Sequence, residues 1–286
     1  MRNIEIGKPR YFINSLAKGL VVLEAFSKAG HPLTLSEIAS ALRANNTTAT
    51  RLCYTLTELG FIQKDGQRRY HLTPKILTLG HSYISGLPWY EVAQYYLEKL
   101  FREVQETVGL SLLEGSEIIH VLRITRRKYL PFDIRIGTKL PVSCTAMGKV
   151  LMAMGPPQKT QSILKTLEFK PLTTHSITRL DKFLEELDRV RKKGVAINDE
   201  ELSIGNRSVA APILDENGYA VAAIHIAVPT TEYSRSQMEK TLAPQVVKTA
   251  CEISEALIRM EAPLVMEGLS HRKTEKSKPL MDRKGG

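Results

Sequence analysis

The stretch from Thr34 to Leu72, TLSEIASALRANNTTATRLCYTLTELGFIQKDGQRRYHL, constrains the fold more than any other part of the chain. Thr34 or Ser36 caps a short helix whose Leu35, Ile38, Ala39 and Leu42 face inward, and Glu37 suits its first turn. Arg43-Ala44-Asn45 forms a turn. Asn46 or Thr47 then starts a second helix running to Leu59, with Ala49, Leu52, Cys53, Leu56 and Leu59 as its buried stripe. After Gly60, Phe61-Ile62-Gln63 and Tyr70-His71-Leu72 read as two strands joined by a turn with Asp65-Gly66 at its tip. Two packed helices followed by a hairpin make a winged helix-turn-helix.

The outward face of the second helix carries Asn46, Thr47, Thr50, Arg51 and Tyr54. Thr34, Ser36 and Asn45 stand at the starts of the two helices, and Lys64, Arg68 and Arg69 sit on the hairpin. In a major groove Asn reads adenine, Thr meets a thymine methyl or a phosphate, and Arg reads guanine or a phosphate. A polar first turn occurs on many helices, so the composition alone leaves a merely solvated face equally open. The basic hairpin adds to it, because such a wing suits phosphates or the minor groove beside a recognition helix.

Charge location supports that reading. The net charge is +10, with residues 1–80 holding 11 Lys and Arg against 5 Asp and Glu. Residues 81–267 hold 23 of each sign, and residues 268–286 hold 6 against 2. A basic N-terminal module on a neutral body argues for a polyanionic partner at that module. Arg2, Glu5, Lys8 and Arg10 occupy an N-terminal arm with no apolar run behind them, and no stretch approaches the roughly 18 apolar residues of a membrane helix. Cys53, Cys144 and Cys251 lie far apart, odd in number and without metal spacing, which fits a reducing, cytoplasmic setting.

Along the rest of the chain, Ser15–Ala29 predicts a packing helix capped by Ser15, with Leu16, Leu20, Leu23 and Phe26 on its buried side. The segment 73–90 is expected to be a linker helix interrupted at Gly80 and Gly86, with Trp89 and Tyr90 packed at an interdomain seam. From residue 91 to residue 266 the order is a helix (91–107), strands (110–113, 118–124), helices (143–154, 158–167, 180–193), a strand (195–198), two long strands and a last helix (234–260). No βαβ repetition dominates, so the fold class is α+β, an antiparallel sheet with helices packed on it. Residues 267–286 read as a basic disordered tail.

A ligand site is readable in the hairpin 207–228. With a turn of two residues at Asn217-Gly218 or four at Asp215–Gly218, even-numbered residues face odd-numbered ones. One face then carries Ser208, Ala210, Pro212, Ala223, His225 and Ala227. The other is aliphatic core. Small residues around one Ser and one His describe a modest polar pocket, with close sheet-to-helix packing over the alanines equally open. The helix starting near Ser143-Cys144-Thr145 would offer free N–H groups to a carboxylate, and Arg135 is a candidate counter-charge.

The segments SLAKGLVVLEAF, LTLSEIASAL, TATRLCYTLTELGF with YHLTPKILTLG, RIGTKLPVSCTAMGKVLMA and INDEELSIGNRSVAAPILDENGYAVAAIHIAVP occur in this order between Ser15 and Met260. Together they resemble the IclR family of bacterial transcriptional regulators. GTKLPVSCTAMGKVL is most similar to the branch controlling β-ketoadipate pathway genes in response to aromatic acids such as protocatechuate and 4-hydroxybenzoate. The resemblance implies a GAF-like effector-binding domain. Carried across residue by residue, the effector contacts fall on Ala146, Met147, Asn198, Ser208, His225 and Ala227. Asn198 and His225 replace an acid and a hydroxyl of other members, and Met147 replaces a smaller residue. The expected partners are operator DNA, a small carboxylate effector, a second copy in a dimer or dimer of dimers, and RNA polymerase if the regulator activates.

Catalytic readings have less support. No GxSxG elbow accompanies Ser208 and His225. The better rival is a GAF-fold thiol enzyme or redox sensor using Cys144, whose pKa a helix N-terminus would lower. The seven histidines show no metal-ligand spacing and no glycine loop cradles phosphate, so neither metal nor cofactor is expected.

Overall fold

The computed structural model describes residues 11–126 and 134–260. The arm residues Arg2, Glu5, Lys8 and Arg10 and the basic tail lie outside that range. Contacts divide the chain between Leu87 and Pro88 into two compact units.

In the first unit α1 (Asn14–Ala29) packs with α2 (Leu35–Leu42) and α3 (Asn46–Glu58), followed by β1 (Ile62–Lys64), β2 (Tyr70–Leu72) and α4 (Ile76–Ser85). The core gathers Val22, Phe26, Ile38, Leu42, Ala49, Cys53, Leu56, Ile62 and Tyr70. This differs from the expected stripe of α1. Leu16 and Leu20 are more than half exposed, Val22 and Ala25 are buried in their place, and Phe26 is buried as expected. Ser15 is not the cap either, since Ile13 occupies that position without a side-chain bond. Leu59 leaves the core at the C-cap of α3. Helix α4 runs through Gly80 and ends at Gly86, so only the second glycine interrupts it.

In the second unit α5 (Tyr90–Val104) precedes a six-stranded sheet, all pairs antiparallel, in the order β5-β4-β3-β8-β7-β6. The strands are β3 (Thr107–Glu114), β4 (Glu117–Ile124), β5 (Lys139–Pro141), β6 (Ala196–Asp199), β7 (Asn206–Leu214) and β8 (Ala220–Pro229). Between β5 and β6 lie α6 (Ala146–Met154), α7 (Pro157–Leu164) and α8 (Leu180–Lys193). The expected last helix begins as α9 (Arg235–Gln237), passes through a π-helical turn at Met238–Leu242, and continues as α10 (Ala243–Arg259). Helix α5 stops three residues before the expected boundary. Gln105 caps it in a left-handed conformation, and Thr107 already belongs to the sheet. Trp89 is buried at the start of α5, while Tyr95 is 61% exposed.

Alternation assigns each sheet face its work. Val209, Ala211, Ile213, Ile224, Ile226 and Val228 are fully buried on the face that meets α10. Ile118, Ala196, Ala210 and Ala223 on the other face join the core of α6 and α8. The small alanines there let a helix lie close. That helix is α6, buried along Ala146–Ala153.

Candidate functional sites

At the helix pair, Thr34 and Glu37 form a reciprocal capping box that starts α2. Asn45 caps α3, its Oδ1 accepting from the Thr48 N–H at 2.9 Å. The Thr34 hydroxyl and the Asn45 carbonyl oxygen are therefore engaged in holding the two helices in shape. Ser36, Asn46, Thr47, Thr50, Arg51 and Tyr54 are exposed. The caps at the starts of α2 and α3 thus form a holding set, distinct from a displayed set at Ser36 and along α3 from Asn46 to Tyr54.

The wing forms over the expected residues with a different turn. Asp65 N–H donates to Arg69 O and Arg68 N–H to Asp65 O, leaving a three-residue loop with Arg68 at φ 60°. The Asp65 carboxylate accepts from the Gln67 and Arg69 N–H groups and from His71 Nε2 at 2.6 Å. These bonds hold the Asp65 carboxyl below its usual range, the His71 contact contributing most. Lys64 lies over the Tyr70 ring at 5.3 Å, and Arg68 is exposed at the tip. Arg69 is half-buried and donates to Pro32 O, so it ties the wing to the loop before α2. Leu33 and Tyr70 exchange backbone bonds at the same seam. Lys75, missed from sequence, donates to Leu59 O and anchors the end of α3.

On the sheet face beneath α6, the β7–β8 hairpin brings Ser208 opposite Ala227 and Ala210 opposite His225. Neither expected loop closes it. Asp215 pairs with Tyr219 around a three-residue loop with Gly218 at φ 77°, and a bulge between Ile213 and Leu214 restores the even-to-odd pairing. Extending the rows across the sheet adds residues that the hairpin alone could not show. Asn198, Ser208, Ala227 and Thr107 form one row, and His225, Gly109 and Arg123 form the next. Ser111 faces His120 beyond them.

His120 and His225 are buried, their rings in edge contact with centroids 5.5 Å apart. Among the described residues, both ring nitrogens of His120, Nε2 of His225 and Oγ of Ser111 have no hydrogen-bond partner. Burial, with Arg123 nearby, pushes His120 down to about 3 and His225 well below the ordinary histidine range. Both rings are neutral at pH 7. A Cβ on Gly109 would stand 2.9 Å from Leu122 O and 3.3 Å from His225 Nε2. Glycine inside a strand is the one sequence sign of such a close approach.

The start of α6 differs from the expected carboxylate cradle. Thr145 is its N-cap, accepting from the Gly148 N–H and donating to Pro141 O, and Ala146 and Met147 are buried. Asn198 is also engaged on both sides: Nδ2 donates to Cys144 O at 2.7 Å and Oδ1 accepts from the Glu201 N–H at 2.9 Å. It fixes the α6 turn. Arg135 stands exposed in a turn before β5, its N–H bonded to Thr138 Oγ1, rather than on a strand. The expected lowering of the Cys144 pKa is reversed. Its thiol is buried, and desolvation pushes it up. The redox reading loses its chemical premise, since a thiol kept protonated is a poor nucleophile.

Comparison with known proteins accounts for both units. Residues 15–66 match the IclR helix-turn-helix domain, and residues 81–255 match the bacterial transcriptional regulator IclR C-terminal domain. The Pca regulon regulatory protein of Pseudomonas putida is 31% identical over 86% of this chain and 84% of its own length. The p-hydroxybenzoate hydroxylase transcriptional activator of Acinetobacter baylyi is 29% identical over 85% and 91%. A crystal structure from Rhodococcus sp. RHA1 superposes with TM-score 0.73 at 37% identity, covering 87% of this chain and all of that one.

Proposed function

The chain belongs to the IclR family of bacterial transcriptional regulators, and on that premise we propose how its own residues divide the work. Residues 15–72 read DNA, 73–90 link, and 91–266 sense a small aromatic carboxylic acid. Ser36, Asn46, Thr47, Thr50, Arg51 and Tyr54 meet the major groove. Lys64 and Arg68 meet phosphates beside it, while Thr34, Asn45 and Arg69 position these elements. The observation carrying this is the exposed face of α3, held by side-chain caps and flanked by an ordered basic wing.

The effector reading rests on the buried polar groups Ser208, His225, His120 and Ser111 on the sheet face under α6, in a chain similar to regulators named for Pca and p-hydroxybenzoate functions. The exposed Leu16 and Leu20 of α1 favour a homodimer on a pseudo-palindromic operator, in the cytoplasm. RNA polymerase is a partner if the protein activates. Effector control requires different affinities for two states of the regulator.

The test is operator affinity against salt for the wild type and Arg51→Ala. A base contact predicts a loss of about 1–3 kcal/mol and relaxed preference at one position. Unchanged affinity and an unchanged salt slope would remove α3 from the interface.

A further inference from the structure

We propose that His120 and His225 form a proton-linked receptor for the carboxylate of the effector, so that each anion bound is accompanied by uptake of a proton shared between the two imidazoles. This rests on the effector reading above and adds His120 to it, together with a thermodynamic signature.

The geometry is specific. A neutral imidazole has one donor and one acceptor nitrogen, and among the described residues both nitrogens of His120 lack a partner, as does Nε2 of His225. Leaving a buried polar group unsatisfied is unfavourable, so a ligand group that completes these atoms is favoured there. The bare Cα of Gly109 lets both rings close on the strand: His225 Nε2 stands 3.3 Å and His120 Nδ1 3.7 Å from where a Cβ would be, with Leu122 O 2.9 Å from the same point, so the two rings lie side by side with no side chain between them. Ser111 Oγ, also unpartnered, lies opposite His120 in the register.

The surroundings settle the sign. Arg123 on β4 is the cation that disfavours charge on both rings. From α6, Lys149 is held by Glu201 and Glu186, and the Cys144 thiol before it stays protonated. Strand β3 has no titratable group from Thr107 to Leu113, β7 has none from Ser208 to Leu214, and His225 is the one on β8. An anion arriving here favours imidazolium directly. The ring pKa is then higher in the complex than in the free protein. Affinity therefore rises as pH falls through the bound-state pKa, by up to about tenfold per pH unit, and levels off below the free-state pKa.

The experiment is calorimetric titration of the full chain with 4-hydroxybenzoate, whose own groups hold one charge state between about pH 6 and about pH 8. It is repeated in buffers of different ionisation enthalpy. The expected result is net proton uptake of up to one per site, absent for the neutral 4-hydroxybenzamide and reduced in both His120→Gln and His225→Gln. Binding of 4-hydroxybenzoate with no proton uptake by the wild type overturns the linkage and leaves the aromatic-acid reading standing. Uptake that survives in both variants also overturns it, placing the proton elsewhere. No binding by 4-hydroxybenzoate, benzoate and protocatechuate alike overturns both readings.

Discussion

Lys149 Nζ meets Glu201 Oε1 at 2.5 Å inside the second unit, with the lysine 1% exposed and Glu186 3.5 Å away on α8. The ammonium also donates to Ile197 O, so one charge joins α6, α8, β6 and the loop after it. Glu201 in turn holds Asn198 through its backbone N–H, and Asn198 holds the Cys144 carbonyl. The chain of bonds fixes the start of α6 above the histidine row.

Lys149→Met should therefore cost far more than a surface ion pair. It leaves the buried Glu201 carboxylate with no counter-charge, while Glu186 keeps Arg189 on its own helix, a change typically worth about 3–5 kcal/mol. Adding Glu201→Leu should recover part of that loss, because it removes one stranded carboxylate. Trp89 is the one tryptophan of the chain and is buried in this unit, so its fluorescence in a denaturant titration measures both variants.

Two glycines predict opposite signs. A Cβ on Gly148 would stand 2.4 Å from Val142 Cα and 2.5 Å from Val142 O, so Gly148→Ala must push the turn before α6 away. Overpacking of this kind costs about 1–3 kcal/mol or more. Gly80 lies inside α4 with nothing within 4 Å of its Cβ position. Gly80→Ala should stabilise that helix by roughly 0.5–1 kcal/mol, through lower backbone entropy in the unfolded chain. Thermal unfolding of the two variants should move in opposite directions.

The wing allows folding and binding to be separated. Arg68 adopts the left-handed φ of 60° that glycine takes without strain, as Gly218 does in the β7–β8 loop. Arg68→Gly should leave the hairpin intact while removing one phosphate contact, which lowers the salt slope of operator binding by about 0.9. An unchanged slope would show that the tip does not reach the backbone. Asp65→Ala should do the reverse, loosening the wing through loss of three accepted bonds, with a weaker effect for Asp65→Asn. Its depressed carboxyl pKa gives the sign with pH. The contribution is present above the unfolded value and is lost as pH falls through the folded one.

Local chemistry made the helix pair and wing legible, because caps, apolar spacing and turn residues all lie within about 40 residues. Failures came where a longer-range choice decided. Leu16 and Leu20 fit helical spacing as well as Val22 and Ala25 do, and only packing against α2 and α3 selects among them. The histidine site was half legible for a sharper reason. Strict alternation would put Leu122 on the face of His120 and Arg123 on the opposite one. The bulge in the β3–β4 register, with Leu110 facing Leu122 and Ser111 facing His120, reverses this. It brings Arg123 and His120 to the same side, beside a His225 that comes from a strand more than 100 residues later. No short-range pattern marks that bulge.

Cysteine reactivity gives the last prediction and bears on the enzyme alternative. Cys53 is fully buried in the first unit and desolvation pushes its thiol up to about 11. Cys144 is equally buried and is also pushed up, whereas Cys251 lies exposed on α10. The attacking species is the thiolate, and a raised pKa lowers its fraction at neutral pH while burial blocks approach. Alkylation of the native protein near pH 7.5, followed by mass spectrometry, should therefore modify Cys251 first. Cys53 and Cys144 should react only as the chain opens, at rates that rise with denaturant. A Cys144 that reacts in the native protein faster than Cys251 would restore the thiol-chemistry reading. Slow labelling, together with effector binding unchanged in Cys144→Ser, would confine this residue to packing and to presenting its carbonyl to Asn198.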